Sequence, residues 1–113
     1  MTQAETRTLL ETSAKSISAA YFDIKDEAAR DTFMKLETDI NGVLTTLNQD
    51  DLESRTEEFA SAAATMQKSV LPAIKQLDAS IEKIIAVEGA VKVALTDLVK
   101  LSSTVSFFKI PAI

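Results

Sequence analysis

The sequence predicts an all-α protein, a helical bundle or a long antiparallel helical hairpin with coiled-coil-like heptads. Three observations predict it. Ala63, Val70, Leu77, Ile84, Val91, Leu98 and Val105 form an uninterrupted apolar row at seven-residue spacing, the pattern of a helix seam. Only 2 Gly and 2 Pro occur in 113 residues, too few turn-formers for a sheet with its hairpins. Ala, Leu, Lys and Glu, all good helix formers, recur throughout.

The first periodic segment runs from about Gln3 to Phe22. Leu10, Ile17 and Ile24 make one apolar row, and Ala14, Tyr21 and Ala28 the other. The rest of its surface is dense in Ser and Thr and reads as solvated. Asp31 and Lys35 then fall where this register wants apolar residues. Asp26, just before Glu27, suits an N-cap. A break near residues 23–26 is therefore expected.

The second helix is expected from Glu27 to Leu47, because Phe33, Leu36, Ile40, Val43 and Leu47 alternate spacings of three and four. Gly42 after Asn41 would ordinarily signal a turn. Here the register continues past it, so Gly42 is read as tolerated inside the helix at ~1 kcal/mol. A close helix crossing or a local bend would account for it. Asn48 to Asp51 is the clearest loop, with Asp50 or Asp51 as the next cap and Glu53 as capping-box partner of Asp50.

The long heptad stretch, Asp51 to about Val105, is expected to be one helix. A second row flanks the seam through Leu52, Phe59, Met66 and Ala73. A third runs through Ile74, Ile81 and Leu95, with Gln67 and Glu88 as polar intruders. An apolar stripe this wide belongs to a helix touching two neighbours. Pro72 cannot donate to the Lys68 carbonyl. It stands on the outer side, which predicts a kink with the seam preserved; a reversal there would instead yield four segments. A continuous helix of ~50 residues would span ~75 Å. Residues 1–105 form one domain on this reading. Residues 106–113 are an apolar tail, in which Phe107, Phe108, Ile110 and Ile113 cluster around Pro111. The tail either closes the end of the core or docks on a partner.

Chemistry is constrained by what is missing. The chain has no His and no Cys, which removes histidine phosphotransfer, Ser–His and Cys–His nucleophiles, and Glu-x-x-His di-iron sites. No Gly-rich phosphate loop exists. The net charge is −5, and residues 1–50 carry 9 acidic and 5 basic side chains against 8 and 7 in residues 51–113. Neither half is a basic surface, so no nucleic acid is expected as partner. The carboxylates of Asp50, Asp51, Glu53, Glu57 and Glu58 read as helix caps and solvated faces. Asp39-Ile-Asn-Gly has a fragment of a calcium loop, but Val43 stands where a ligand belongs. No metal or cofactor is expected. Lys68, Lys75, Lys83, Lys92 and Lys100 fall on the outer face. With neither a signal-peptide core nor a run of ~18 apolar residues, the protein is expected in the cytoplasm and unlike a membrane protein.

Ser54-Arg-Thr-Glu-Glu-Phe-Ala-Ser61 is similar to the methylated Glu–Glu segments of bacterial chemoreceptor signalling helices. Leu101-Ser-Ser-Thr-Val-Ser-Phe-Phe-Lys-Ile110 resembles the ends of some of those receptors. Glu53 departs from the small residue that begins the first motif, and the hairpin-tip sequence is missing, so the family is not assigned. The functional expectation is a non-enzymatic helical interaction or scaffolding module that self-associates through the long helix, a dimer above all. Glu88, a polar residue on the third row, either turns to solvent at a bend beside Gly89 or, if buried, sets register or partner choice. Phe107, Phe108, Ile110 and Ile113 are candidate partner contacts. Amphipathic helices on a lipid surface are the alternative, and a carboxylate-based metal enzyme the third.

Overall fold

Thr2 starts the first helix. Its hydroxyl accepts the Glu5 N–H at 3.1 Å while the Thr2 N–H donates to Glu5 Oε1 at 3.0 Å, a reciprocal capping box. The Thr2 N–H on the carboxylate, with the Thr2 hydroxyl second, holds Glu5 below its ordinary acidity range. The structure is a computed structural model that describes residues 1–79 and 89–110. Helix α1 spans Gln3–Ala20, followed by a 3-10 turn at Tyr21–Asp23. Asp26 caps α2, Glu27–Leu47, by accepting the Ala29 N–H at 3.0 Å. The break expected at residues 23–26 is therefore present.

Helix α2 lays Phe33, Leu36, Ile40, Val43 and Leu47 into the core, each at most 2% exposed. Gly42 lies inside the helix. An added Cβ there would meet nothing within 4 Å, so no close crossing explains this glycine. Gln3 ties the start of α1 to the end of α2, its Nε2 donating to the Leu47 carbonyl at 2.7 Å and the Gln49 carbonyl at 3.0 Å. This occupies backbone acceptors that a helix C-terminus leaves open.

The next cap differs from expectation. Asp51 takes a left-handed backbone, φ 56°, and a 3-10 turn covers Leu52–Ser54. Leu52 is fully buried, and this plug brings the chain to α3, Thr56–Thr65, without a side-chain cap. Ser54 Oγ and Arg55 Nε instead donate to the Asp51 and Asp50 carbonyls. The turn Met66–Val70 is π-helical, and the Leu71 N–H reaches back to the Met66 carbonyl. The wider turn lets the helix run on through Pro72 into α4, Leu71–Ala79. The chain does not reverse at Pro72.

The single long helix from 51 to 105 is corrected. It begins only at Thr56, and Gly89, at φ 77° and ψ −118°, lies outside the helical region that a continuous helix requires. Helix α5 starts afterwards, at Ala90–Lys100. A 3-10 turn, Leu101–Thr104, leads to the short α6, Val105–Phe108. The seam is split between segments that face one interior. Val70, Leu77, Val91 and Leu98 are each at most 4% exposed, and Ala63 and Val105 pack at the edge. Ile84 lies outside the described residues.

Helix α1 packs mainly on α2 and α5, α2 also on α3 and the π turn, and α4 on α5. The principal extents are 44 × 26 × 20 Å, too short for the ~75 Å of a 50-residue helix. The Cα radius of gyration, 13.8 Å, is close to the ~13 Å of a compact chain this long. Four long packed helices, with α3 and α4 counted as one, and the short α6 are found among the described residues, with no strand. None of their helices is long and apolar enough to cross a membrane.

Candidate interaction surface

The corner between α1 and α2 is shaped by one apolar residue that goes in and one that stays out. Tyr21 ends α1, its N–H donating to the Ile17 carbonyl, and the tight turn that follows delivers Ile24 in extended backbone. Ile24 is 2% exposed, whereas Phe22 is 89% exposed. The Phe22 ring meets Tyr21 edge-on, with centroids 5.3 Å apart. Across from it, Met34 of α2 is 48% exposed. Ser18, Tyr21, Phe22, Met34 and Glu37 line a groove of about 290 Å³. Ser18 Oγ donates to Glu37 Oε2 at 2.7 Å, joining the two helices along its edge. Apolar residues that converge on a groove distinguish this surface from scattered exposure. Val93 and Val99, also exposed, are six residues apart on α5 and therefore point about 120° apart.

Two other depressions have part of their polar lining bonded to its own helices. One of about 270 Å³ lies between α2 and α3 beside Gly42, but Thr38 and Thr65 there already donate to the Met34 and Ser61 carbonyls of their own helices. The other, about 570 Å³, is built around Met1, Leu9 and Lys100; Thr8 and Ser103 on its wall donate to Ala4 and Lys100 carbonyls.

One constellation brings hydroxyl, carboxylate and ammonium together. Asp97 of α5 accepts the Ser16 hydroxyl, its carbonyl accepts Ser13 Oγ at 3.3 Å, and Lys100 Nζ stands 3.9 Å from its other oxygen. Each bond to serine crosses from α1 to α5, so the cluster works as a latch between helices. Among the described residues no three acidic side chains are grouped to hold a metal ion.

The tail candidates face inward. Phe107, Phe108 and Ile110 are 7%, 2% and 8% exposed. Phe59 meets Phe107 at 5.6 Å and Phe108 at 6.1 Å between centroids, and the two tail rings meet edge-on at 5.1 Å. Lys109 turns left-handed at φ 56°, and the Ile110 N–H returns to the Val105 carbonyl at 3.0 Å, which folds Ile110 back onto the core. These three residues close the end of the bundle and leave little area for a partner. Glu88 and Ile113 lie outside the described residues. Gln67, the other polar intruder on the third row, is exposed. Sequence reasoning passed over Phe22 and Met34. The available signal was that Phe22 belongs to neither apolar row of the first segment, yet is aromatic and sits directly before a predicted break.

No protein-family model, curated protein or solved structure shows significant similarity to the chain.

Proposed function

We propose that the protein is a non-enzymatic helical interaction module that self-associates. The observation that carries this reading is Phe22, 89% exposed at the lip of a groove it shares with half-exposed Met34. Buried aromatic anchors dominate binding energy at protein interfaces, and an aromatic held out on a braced corner is suited to that role. Val70, Leu77, Val91 and Leu98 of the seam from which self-association was expected are packed within the chain, which favours a contact on the outer surface. The carboxylates of Glu5, Asp26, Glu37 and Asp97 are engaged by their own chain as caps and braces, which favours a binding role over carboxylate catalysis.

Light scattering on a sizing column, across a concentration series, tests the reading. The expected mass is twice the 12.2 kDa of the chain. A single-chain mass at every concentration would remove self-association.

A further inference from the structure

We propose that the groove between α2 and α3 beside Gly42 is a binding site for a small primary alkylammonium ion. The inference is independent of self-association and of the α1–α2 corner. It starts from a glycine that the fold does not need. Gly42 lies in mid-helix, Gly89 alone among the described glycines has a positive φ, and a Cβ added at Gly42 would meet nothing within 4 Å. Alanine would suit both the backbone and the space, and glycine only weakens the helix. What the missing methyl group does leave is room on the wall of a groove of about 270 Å³. That is slightly below the ~300–1,000 Å³ of sites for drug-sized ligands, so the occupant is a smaller molecule.

The lining selects the charge of that molecule. Thr38 and Thr65 donate their hydroxyl hydrogens to the Met34 and Ser61 carbonyls, both at 3.1 Å, so toward a ligand their oxygens can only accept. Asp39, half-buried, lines the same groove. Its carboxylate enters neither of the ion pairs among the described residues, Arg7–Glu11 and Asp97–Lys100. Acceptors around one negative charge call for donors on one positive charge, and a primary ammonium has three N–H donors and no acceptor. A calcium ion is a poorer match, since it takes about 6–8 oxygen ligands, several of them carboxylates, and the groove supplies one carboxylate. An anion would be repelled by Asp39. Val43 and Ala62, 2% and 3% exposed, give the groove an apolar floor. The ammonium therefore sits among Asp39, Thr38 and Thr65 while its alkyl stem lies on Val43 and Ala62. A free amine and a lysine side chain share this chemistry.

The test is a two-dimensional amide NMR titration of the full chain with n-butylammonium chloride. Saturable shifts centred on residues 38–46 and 61–65 are expected. Sodium chloride at equal ionic strength and n-butanol should not reproduce them, because one lacks the stem and the other the charge. Asp39→Asn keeps the side-chain shape and should weaken binding by about tenfold, the loss of one hydrogen bond to a charged group. Gly42→Ala should move two quantities in opposite directions, raising the urea midpoint while weakening the amine, a pairing that a merely structural role for the glycine would not give. Tighter binding of Nα-acetyl-lysine methylamide than of n-butylammonium would support a peptide lysine as the source, and the reverse a free amine. Absence of saturable shifts, shifts that sodium chloride reproduces, or wild-type affinity in either variant overturns the site.

Discussion

Helices α1 and α2 are neighbours of similar length, and they reach the core by different chemistry. Helix α2 buries a continuous aliphatic and aromatic stripe, Phe33, Leu36, Ile40, Val43 and Leu47. Helix α1 buries Leu10 and Ile17 together with Thr6, Ser13 and Ala20, all 0% exposed. Thr6, Ser13 and Ala20 form a second seven-residue row, made of small residues and hydroxyls. The hydroxyls are not left unpaired. Thr6 donates to the Thr2 carbonyl at 2.9 Å and Ser13 to the Asp97 carbonyl of α5, which removes most of the penalty for burying them. Small side chains let α1 lie close between α2 and α5. Polarity in a helix is thus no guide to exposure when a carbonyl is within reach.

The largest effect should come from the α2 side of this comparison. Phe33→Ala removes a fully buried ring and should cost about 3–5 kcal/mol, measured by urea denaturation. A loss below about 1 kcal/mol would mean that α2 does not carry the core. On α1 the informative change adds volume. Ser13→Leu should destabilise by about 1–3 kcal/mol through overpacking against α5. If Ser13 lay on a solvated face, the same change would be neutral or mildly stabilising, so the sign alone decides.

This contrast also separates what could be read in advance from what could not. The helix break before Asp26, the whole core face of α2, and the inward faces of Val70, Leu77, Val91 and Leu98 all follow from apolar spacing. The buried row of α1 does not, since Thr6 and Ser13 resemble their solvated neighbours until their carbonyl partners are known. The heptad row was misread as one helix because period alone is blind to a break that keeps the register; Gly89, with its positive φ, lies outside the pattern. Pro72 drew attention as the main disruption, yet a π turn absorbs it upstream. The candidate surface was legible only as an aromatic out of register, because exposure at a corner depends on how Ile24 turns inward.

Gly42 gives a smaller effect of opposite sign. It is exposed, mid-helix, and open around its missing Cβ. Gly42→Ala should therefore stabilise by about 0.5–1 kcal/mol, mostly by restricting the unfolded chain. A destabilisation in the same denaturation assay would mean that the groove between α2 and α3 closes more tightly than its 270 Å³ implies.

The smallest effect lies at the start of α1, where polar bonds again do what apolar contacts do in α2. Glu5 is fully exposed, so its contribution is local and concerns fraying of the first turn. The Thr2 N–H stabilises the ionised carboxylate and lowers its folded-state pKa relative to the unfolded chain. The linkage then has one direction: the contribution is complete above the unfolded value, about 4.3, and fades as pH falls through the lower folded value. Amide exchange of the first turn, compared with that of mid-α2, should lose protection selectively in that acid window. Glu5→Gln retains a side-chain oxygen that can accept the Thr2 N–H, so it should keep the helix start while losing this acid response. Glu5→Ala should fray the turn at every pH. Should Glu5→Gln and wild type respond to acid alike, the carboxylate charge would have no part in holding α1 in place, and the capping box would act through its geometry alone.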